Sequence, residues 1–177
     1  TLLETQLKRA KAAARLLKNM PTCTKNQALD KIADALIAHS DEILEANKKD
    51  MAHAKEVNMT KAMQDRLLFT YERIVGVSEG VKKVATLPDP IGEVMESWTR
   101  PNGLKISKVR VPIGVFGIIY EARPNVTVDI ASLCLKSGNA CVLRGGKEAI
   151  HTNKKLVEIM KDATKDILPE GAIELIT

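Results

Sequence analysis

An α/β chain, with a layer of helices followed by an open parallel sheet, is what the spacing of apolar residues predicts for this 177-residue sequence. From Thr1 to about Thr86 the apolar residues recur with a helical period. In the C-terminal half, three short and nearly unbroken apolar runs alternate with two helical patterns, the order expected of parallel crossover units. Between the two halves stands LPDPIG at 87–92, where two prolines around an aspartate forbid both helix continuation and ladder pairing.

The helical half divides into a layer over 1–87. Leu3, Leu7, Ala10, Ala14 and Leu17 form one face; Leu29, Ile32, Ala33, Leu36 and Ile37 a second; Met63, Leu67 and Ile74 a third. Three helix starts are legible. Thr24 with Gln27 three residues later predicts a capping box, Ser40 before Asp41 and Glu42 predicts an N-cap with acids in the first turn, and Thr60 predicts another cap.

Residues 88–112 read as a hairpin, EVMESWTR and LKISKVRV around the turn PNG at 101–103, in which Met95 and Trp98 would cover the sheet or an oligomer contact. Residues 113–177 read as crossover units. The strands are IGVFGIIY, ACVLRG and AIELIT; the helix VTVDIASLCLKSG is expected to bury Ile130, Leu133 and Cys134 and to stop at Gly138. AIHTNKKLVEIMKDATKDI places Leu156, Ile159, Met160 and Ala163 on one face.

Composition narrows the function classes. Hydrophobic residues at 45% suit a single sizeable core, and no eighteen-residue apolar run or secretion signal is present, so a cytoplasmic protein without a membrane span is expected. The net charge of +5 comes from lysines interspersed with acids, and aromatic residues make up only 3%, so stacking platforms for nucleic acid are missing and no nucleic-acid partner is expected. The excess base is expected to solvate surfaces and attract an anionic small molecule. Cys23, Cys134 and Cys141 form no CxxC pair and read as reduced, mostly buried thiols. His39, His53 and His151 offer no metal-ligand spacing.

In open parallel sheets, ligands gather beyond the carboxyl ends of the strands. Glu121, Arg123 and Asn125 follow the first parallel strand; Arg144, Gly145, Gly146, Lys147 and Glu148 follow the second. Glycines admit a bound group close to the backbone, cations suit phosphate, and a carboxylate accepts from ribose hydroxyls, a set suited to a phosphorylated nucleotide. Neither GxGxxG nor GxxxxGK[ST] is present, so the residues alone specify nothing sharper.

Residues 109–153, VRVPIGVFGIIYEARPNVTVDIASLCLKSGNACVLRGGKEAIHTN, resemble gamma-glutamyl phosphate reductase (glutamate-5-semialdehyde dehydrogenase), a branch of the aldehyde dehydrogenase superfamily. ILEANKKD at 43–50, DRLLFTYERI at 65–74, LPDPIGEV at 87–94 and RPNGLKISKVRVP at 100–112 extend the resemblance over almost the whole chain. It implies an open parallel sheet of the aldehyde dehydrogenase cofactor-binding type, which lacks the usual glycine fingerprint. It also implies the reaction: NADPH reduces L-glutamyl 5-phosphate to L-glutamate 5-semialdehyde with release of phosphate, in proline biosynthesis. A cysteine thiolate attacks the acyl phosphate, an amide stabilises the oxyanion, and the thioester accepts hydride.

The resemblance places that nucleophile downstream of residue 177, and none of the three cysteines occupies its position. The chain is therefore expected to be the N-terminal part of the NADPH-binding domain, without the catalytic domain and inactive alone. The resemblance makes Asn125 the oxyanion amide, although an N-cap for a helix over 126–137 is the structural alternative. It puts Arg144 where the superfamily has a lysine at the adenosine ribose, with Gly145, Gly146, Lys147 and Glu148 beside it; two cations favour NADPH over NADH, against the alternative of a solvated loop. Glu121 and Arg123 would either pair with each other or, through Arg123, meet substrate carboxylate or phosphate. A homo-oligomer built on the hairpin and an association with glutamate 5-kinase are also implied. Two other readings stay open: the reductase part of a bifunctional pyrroline-5-carboxylate synthase, and a basic binding module without catalysis.

Overall fold

The computed structural model describes all 177 residues. Five helices come first: α1 (Leu2–Leu17), α2 (Thr22–Ala38), α3 (Ser40–Glu56), α4 (Lys61–Leu67) and α5 (Tyr71–Thr86). An antiparallel hairpin, β1 (Val94–Thr99) with β2 (Lys105–Val109), follows LPDPIG as expected. Then come β3 (Val115–Ile119), α6 (Pro124–Lys136), β4 (Ala140–Arg144), a 3₁₀ turn (Lys147–Ala149), α7 (Ile150–Thr164) and β5 (Ile173–Leu175). The three strands are parallel in the order β3-β4-β5, with Ile119 opposite Arg144 and Cys141 opposite Ile173.

Sequential right-handed crossovers put α6 and α7 on one face of this sheet. The other face belongs to α1, which lies against β4 and so leaves the helical layer to which its period assigned it. Only its C-terminal half crosses the sheet: Ala10, Ala13, Ala14 and Leu17 are buried, whereas Leu3 and Leu7 are exposed. The helices α2, α3 and α5 form the outer layer, α2 packing on α5 and α7, α3 on α7, and α5 on α6. Most of their buried side chains join those of β4 in one core, while Ala54 of α3 packs with Leu67 and Ala149 in a small second cluster.

Several local expectations are corrected. Helix α2 begins at Thr22 after Pro21, so Thr24 lies inside the first turn and caps nothing; Thr22 instead donates to Asp89 Oδ2 at 2.8 Å. Ser40 is likewise inside α3, behind an N-cap at His39, while Asp41 and Glu42 do occupy the first turn. A complete capping box forms at Thr1 and Glu4, and Thr60 caps α4 by accepting from Met63 N. On α6 the buried face is Val128, Ala131, Cys134 and Leu135; Ile130 is half-buried and Leu133 is 53% exposed, because the i, i+3, i+7 row rather than its neighbour meets the core. The helix stops as expected at Gly138, which takes a φ of +71°. The hairpin contributes nothing to the core: Met95 and Trp98 are both exposed and cover no sheet.

Two lysines depart from the solvated role read from composition. Lys25, 2% exposed, donates to Asp89 at 2.8 Å, and buried Lys136 donates to Asn26 Oδ1 at 2.7 Å and Ala85 O at 2.8 Å. Asp89 of LPDPIG also accepts from Ile91 N, so this one carboxylate fixes the link between the helical layer and the hairpin. Burial works to raise its pKa, but the bonds from Lys25, Ile91 and Thr22 outweigh it and hold the carboxyl below the ordinary aspartate value. Lys136 is pulled down by burial, partly offset by Asp89.

Candidate functional site

The exits of β3 and β4 touch. A Cβ on Gly146 would come 3.1 Å from Ala122 N, so the loop after β4 lies directly against the loop after β3. Asn125 is half-buried and Arg123 exposed on the first loop; Lys147 is exposed and Glu148 half-buried on the second. Gly145 has a packing reason to be glycine: a Cβ there would stand 2.2 Å from Asn153 Nδ2 and 3.1 Å from the Tyr120 ring. Close approach therefore occurs at this loop, and at Gly145 its partner is the protein itself.

Each predicted residue has a definite place. Arg144 is half-buried and donates to Ile176 O at 3.3 Å, tying the end of β4 to the end of β5. Glu121 does not pair with Arg123; its carboxylate meets Arg66 at 3.2 Å, and the two loop residues share only the backbone bond from Arg123 N to Glu121 O. The expected ion pair is thus overturned, because the chain turns between these residues and sends Glu121 toward α4. Arg123 makes no ion pair. Asn125 is not an N-cap either: Arg123 holds that position, Pro124 opens α6, and the Asn125 amide donates one turn along to Asp129 Oδ2 at 3.1 Å. Burial raises the Asp129 carboxyl, and the Asn125 bond works against that rise.

Beside this loop is a cleft of about 480 Å³ between α6 and the α4–α5 connection, with Asp65, Arg66, Arg73, Arg123, Asn125 and Asp129 on its walls. Arg73 is held by Asp65 Oδ1 at 3.0 Å and by the carbonyls of Asp65 and Leu68 at 2.6 and 2.7 Å. Arg123 is therefore the guanidinium of the cleft that no carboxylate neutralises. Its neighbour Asn125 is pre-oriented by Asp129.

Under the loops runs a buried polar seam that the sequence reading missed. Tyr120 OH lies 2.6 Å from Thr127 Oγ1, which donates to Asn153 Oδ1 at 2.8 Å. Burial pushes the Tyr120 phenol up, with Thr127 opposing, so it stays protonated. From α3, Asp50 accepts from His151 N, Thr152 N and Thr152 Oγ1 at 3.1, 2.8 and 2.6 Å, and its Oδ1 lies 2.8 Å from His151 Nδ1. A signal was available: Ile43, Ala46, Asn47, Asp50 and Ala54 fall on one helical face and are all buried.

The cysteines supply no nucleophile here. Cys134 and Cys141 are buried, and the Cys141 thiol is pushed well up by its hydrogen bond with Cys134 and by burial, which opposes thiolate formation. Cys23 is exposed on α2, away from both loops.

The helical layer and the parallel sheet with its touching strand-exit loops have the fold found in aldehyde dehydrogenases. The aldehyde dehydrogenase family matches residues 2–177, and the chain belongs to that family. Within the family it is similar to gamma-glutamyl phosphate reductases. That of Clostridium novyi (strain NT) is 56% identical over 168 residues, covering 94% of this chain and 40% of the relative. The crystal structure of the gamma-glutamyl phosphate reductase from Thermotoga maritima superposes with a TM-score of 0.96 at 44% identity, over 98% of this chain and 42% of that one. The corresponding protein from Saccharomyces cerevisiae gives 0.92 at 36% identity, over 97% of this chain and 45% of that one. The chain thus spans about two fifths of the length of the curated relatives it matches. No helix is long and apolar enough to cross a membrane.

Proposed function

We propose that residues 1–177 are the N-terminal part of the NADPH-binding domain of an enzyme that reduces L-glutamyl 5-phosphate to L-glutamate 5-semialdehyde with release of phosphate. The observation that carries this reading is the contact of the two strand-exit loops, in which Gly146, next to Lys147, lies against Ala122, next to Arg123 of the cleft. Relatives of the same name at 50–56% identity support it.

The residues present fit the cofactor. Lys147 is exposed and free of ion pairs, so it is available to a 2′-phosphate, while Arg144 stands at the neighbouring strand end with one bond to a carbonyl. Glu148, half-buried, would accept from ribose hydroxyls. When bound, NADPH supplies the hydride. The protein's share in this chain is positional and electrostatic: Arg123 takes an anionic end of the substrate, and the Asn125 amide, held by Asp129, stabilises the oxyanion that develops when the acyl carbon is attacked. Glu121 acts at a distance, by holding Arg66 at the cleft wall. The resemblance assigns the attacking thiolate to a segment beyond residue 177. Homo-oligomer formation through the exposed hairpin belongs to the same reading, and a monomeric mass of the full-length enzyme in light scattering removes it.

The test is calorimetric titration of the full-length enzyme and of its Lys147→Ala and Arg144→Ala variants with NADPH and NADH. A charge-assisted contact of about 1–3 kcal/mol predicts NADPH weakened by roughly five- to 150-fold with NADH little changed. Equal losses for the two cofactors would refute the assignment.

A further inference from the structure

We infer that Asn47 and Asp50 of α3 are positioning residues that couple the loop after β4 to the cleft wall, so that one buried seam sets the geometry of both. The inference deepens the proposed function and rests on it.

Asp50 is 1% exposed and is held by four contacts, all to His151 and Thr152 at the start of α7. Only Ile150 separates those residues from Lys147–Ala149, so the carboxylate fixes where the loop after β4 enters its helix. One turn earlier, Asn47 Nδ2 donates to Leu67 O at 2.9 Å and to Thr152 Oγ1 at 3.2 Å, and its Oδ1 accepts from Phe69 N at 2.9 Å. Leu67 ends α4, Leu68 and Phe69 of the connection line the cleft, and Leu68 O is where Arg73 is anchored. Thr152 Oγ1 is shared: it donates to Asp50 and accepts from Asn47. The next residue, Asn153, joins the seam to Thr127 of α6 and packs under Gly145.

Apart from His151 the seam is largely buried, and each of its side chains has a hydrogen-bond partner, so a shift at one end has little slack to absorb it. A structural cap would need only the bonds to α7. The Asn47 contacts to the opposite wall add a second duty, because they place cleft and cofactor loop against one helix. Occupying the loop and occupying the cleft are then linked through Thr152.

The test uses the full-length enzyme with Asp50→Asn, His151→Ala, Ser78→Ala and Lys147→Ala, reading NADPH affinity by nicotinamide fluorescence and KM for phosphate and semialdehyde in the reverse direction. Asp50→Asn should weaken NADPH and raise both KM values by about three- to thirtyfold, the range expected for substitutions along a coupled network. His151→Ala, which trims only a half-exposed partner, should act in the same direction more weakly, and it carries the comparison if Asp50→Asn does not fold. Ser78, a buried hydroxyl of α5 that donates to Ala33 O of α2 at 2.9 Å and makes no bond to the seam, should change neither constant when made alanine. Asp50→Asn and His151→Ala enzymes with parental constants would overturn the inference, as would a Ser78→Ala enzyme that loses as much. Lys147→Ala separates the two levels. Unchanged NADPH affinity there removes the loop assignment itself, whereas a loss there beside an unaffected Asp50→Asn enzyme removes the coupling alone.

Discussion

Replacing Gly171 by alanine should cost about 2–5 kcal/mol, combining left-handed strain of about 1–2 with overpacking of about 1–3. Gly171 turns the chain into β5 with a φ of +90°, and a Cβ there would lie 2.6 Å from Arg9 C, 2.7 Å from Arg9 O and 2.8 Å from Arg9 Cβ. The obstacle is helix backbone, which cannot swing aside as a side-chain tip would. Moving it would drag Ala10 and Ala13 off the sheet and pull Arg9 Nε from its 3.0 Å contact with buried Glu174. Gly92 provides the control, with a nearly equal φ of +88° and nothing within 4 Å of its Cβ. Gly92→Ala should therefore show the strain alone. Thermal unfolding of the two full-length variants separates the contributions: Gly171→Ala should lower the midpoint about twice as far or more. Equal shifts would refute the claim that α1 and the turn before β5 are in contact as described.

Gly145→Ala should destabilise by about 1–3 kcal/mol and weaken NADPH, since its Cβ must displace Asn153 from Thr127 or lift the loop; wild-type affinity and midpoint together would contradict that packing. Asp89 predicts a pH dependence. Its folded pKa lies below the unfolded one, so between the two the unfolded chain binds more protons and stability rises with pH. The contribution is complete above an unfolded value of about 4 and is lost as pH falls through the folded value. The gap in denaturant midpoint between the parent and Asp89→Asn should accordingly be widest near neutrality and close below about pH 4; a gap independent of pH would count against the Lys25–Asp89 pair.

Much of the architecture is legible because its signals are local. Two prolines mark the boundary at LPDPIG, and strand runs of continuous apolar residues announce a sheet covered on both faces, as β4 is. Helix starts were less so. Threonine and serine are strong caps only where the preceding backbone leaves the helix, and Pro21 and His39 moved that point upstream of Thr24 and Ser40. The place of α1 was not legible at all. Its alternation of alanine and leucine suits either a helical layer or the back of a sheet, and only the tertiary contact with β4 decides between them.

The site shows the same division in sharper form. Sequence proximity suggested that Glu121 and Arg123 answer each other, yet the nearest cation to Glu121 in space comes 55 residues earlier, at Arg66. A turn between two charged residues separated by a single residue points them away from each other, so spacing of two in a loop predicts little about pairing. Asp50 teaches the converse. Its carboxylate lies 101 residues from His151 and no motif links them, but its position on the buried face of α3 already requires donors from somewhere, since a carboxylate without them is too costly to bury. Polar residues that fall on a helix's apolar face are thus readable as unmet demands. What the sequence withholds is the partner that meets them, and in this fold that partner is the helix carrying the candidate cofactor loop.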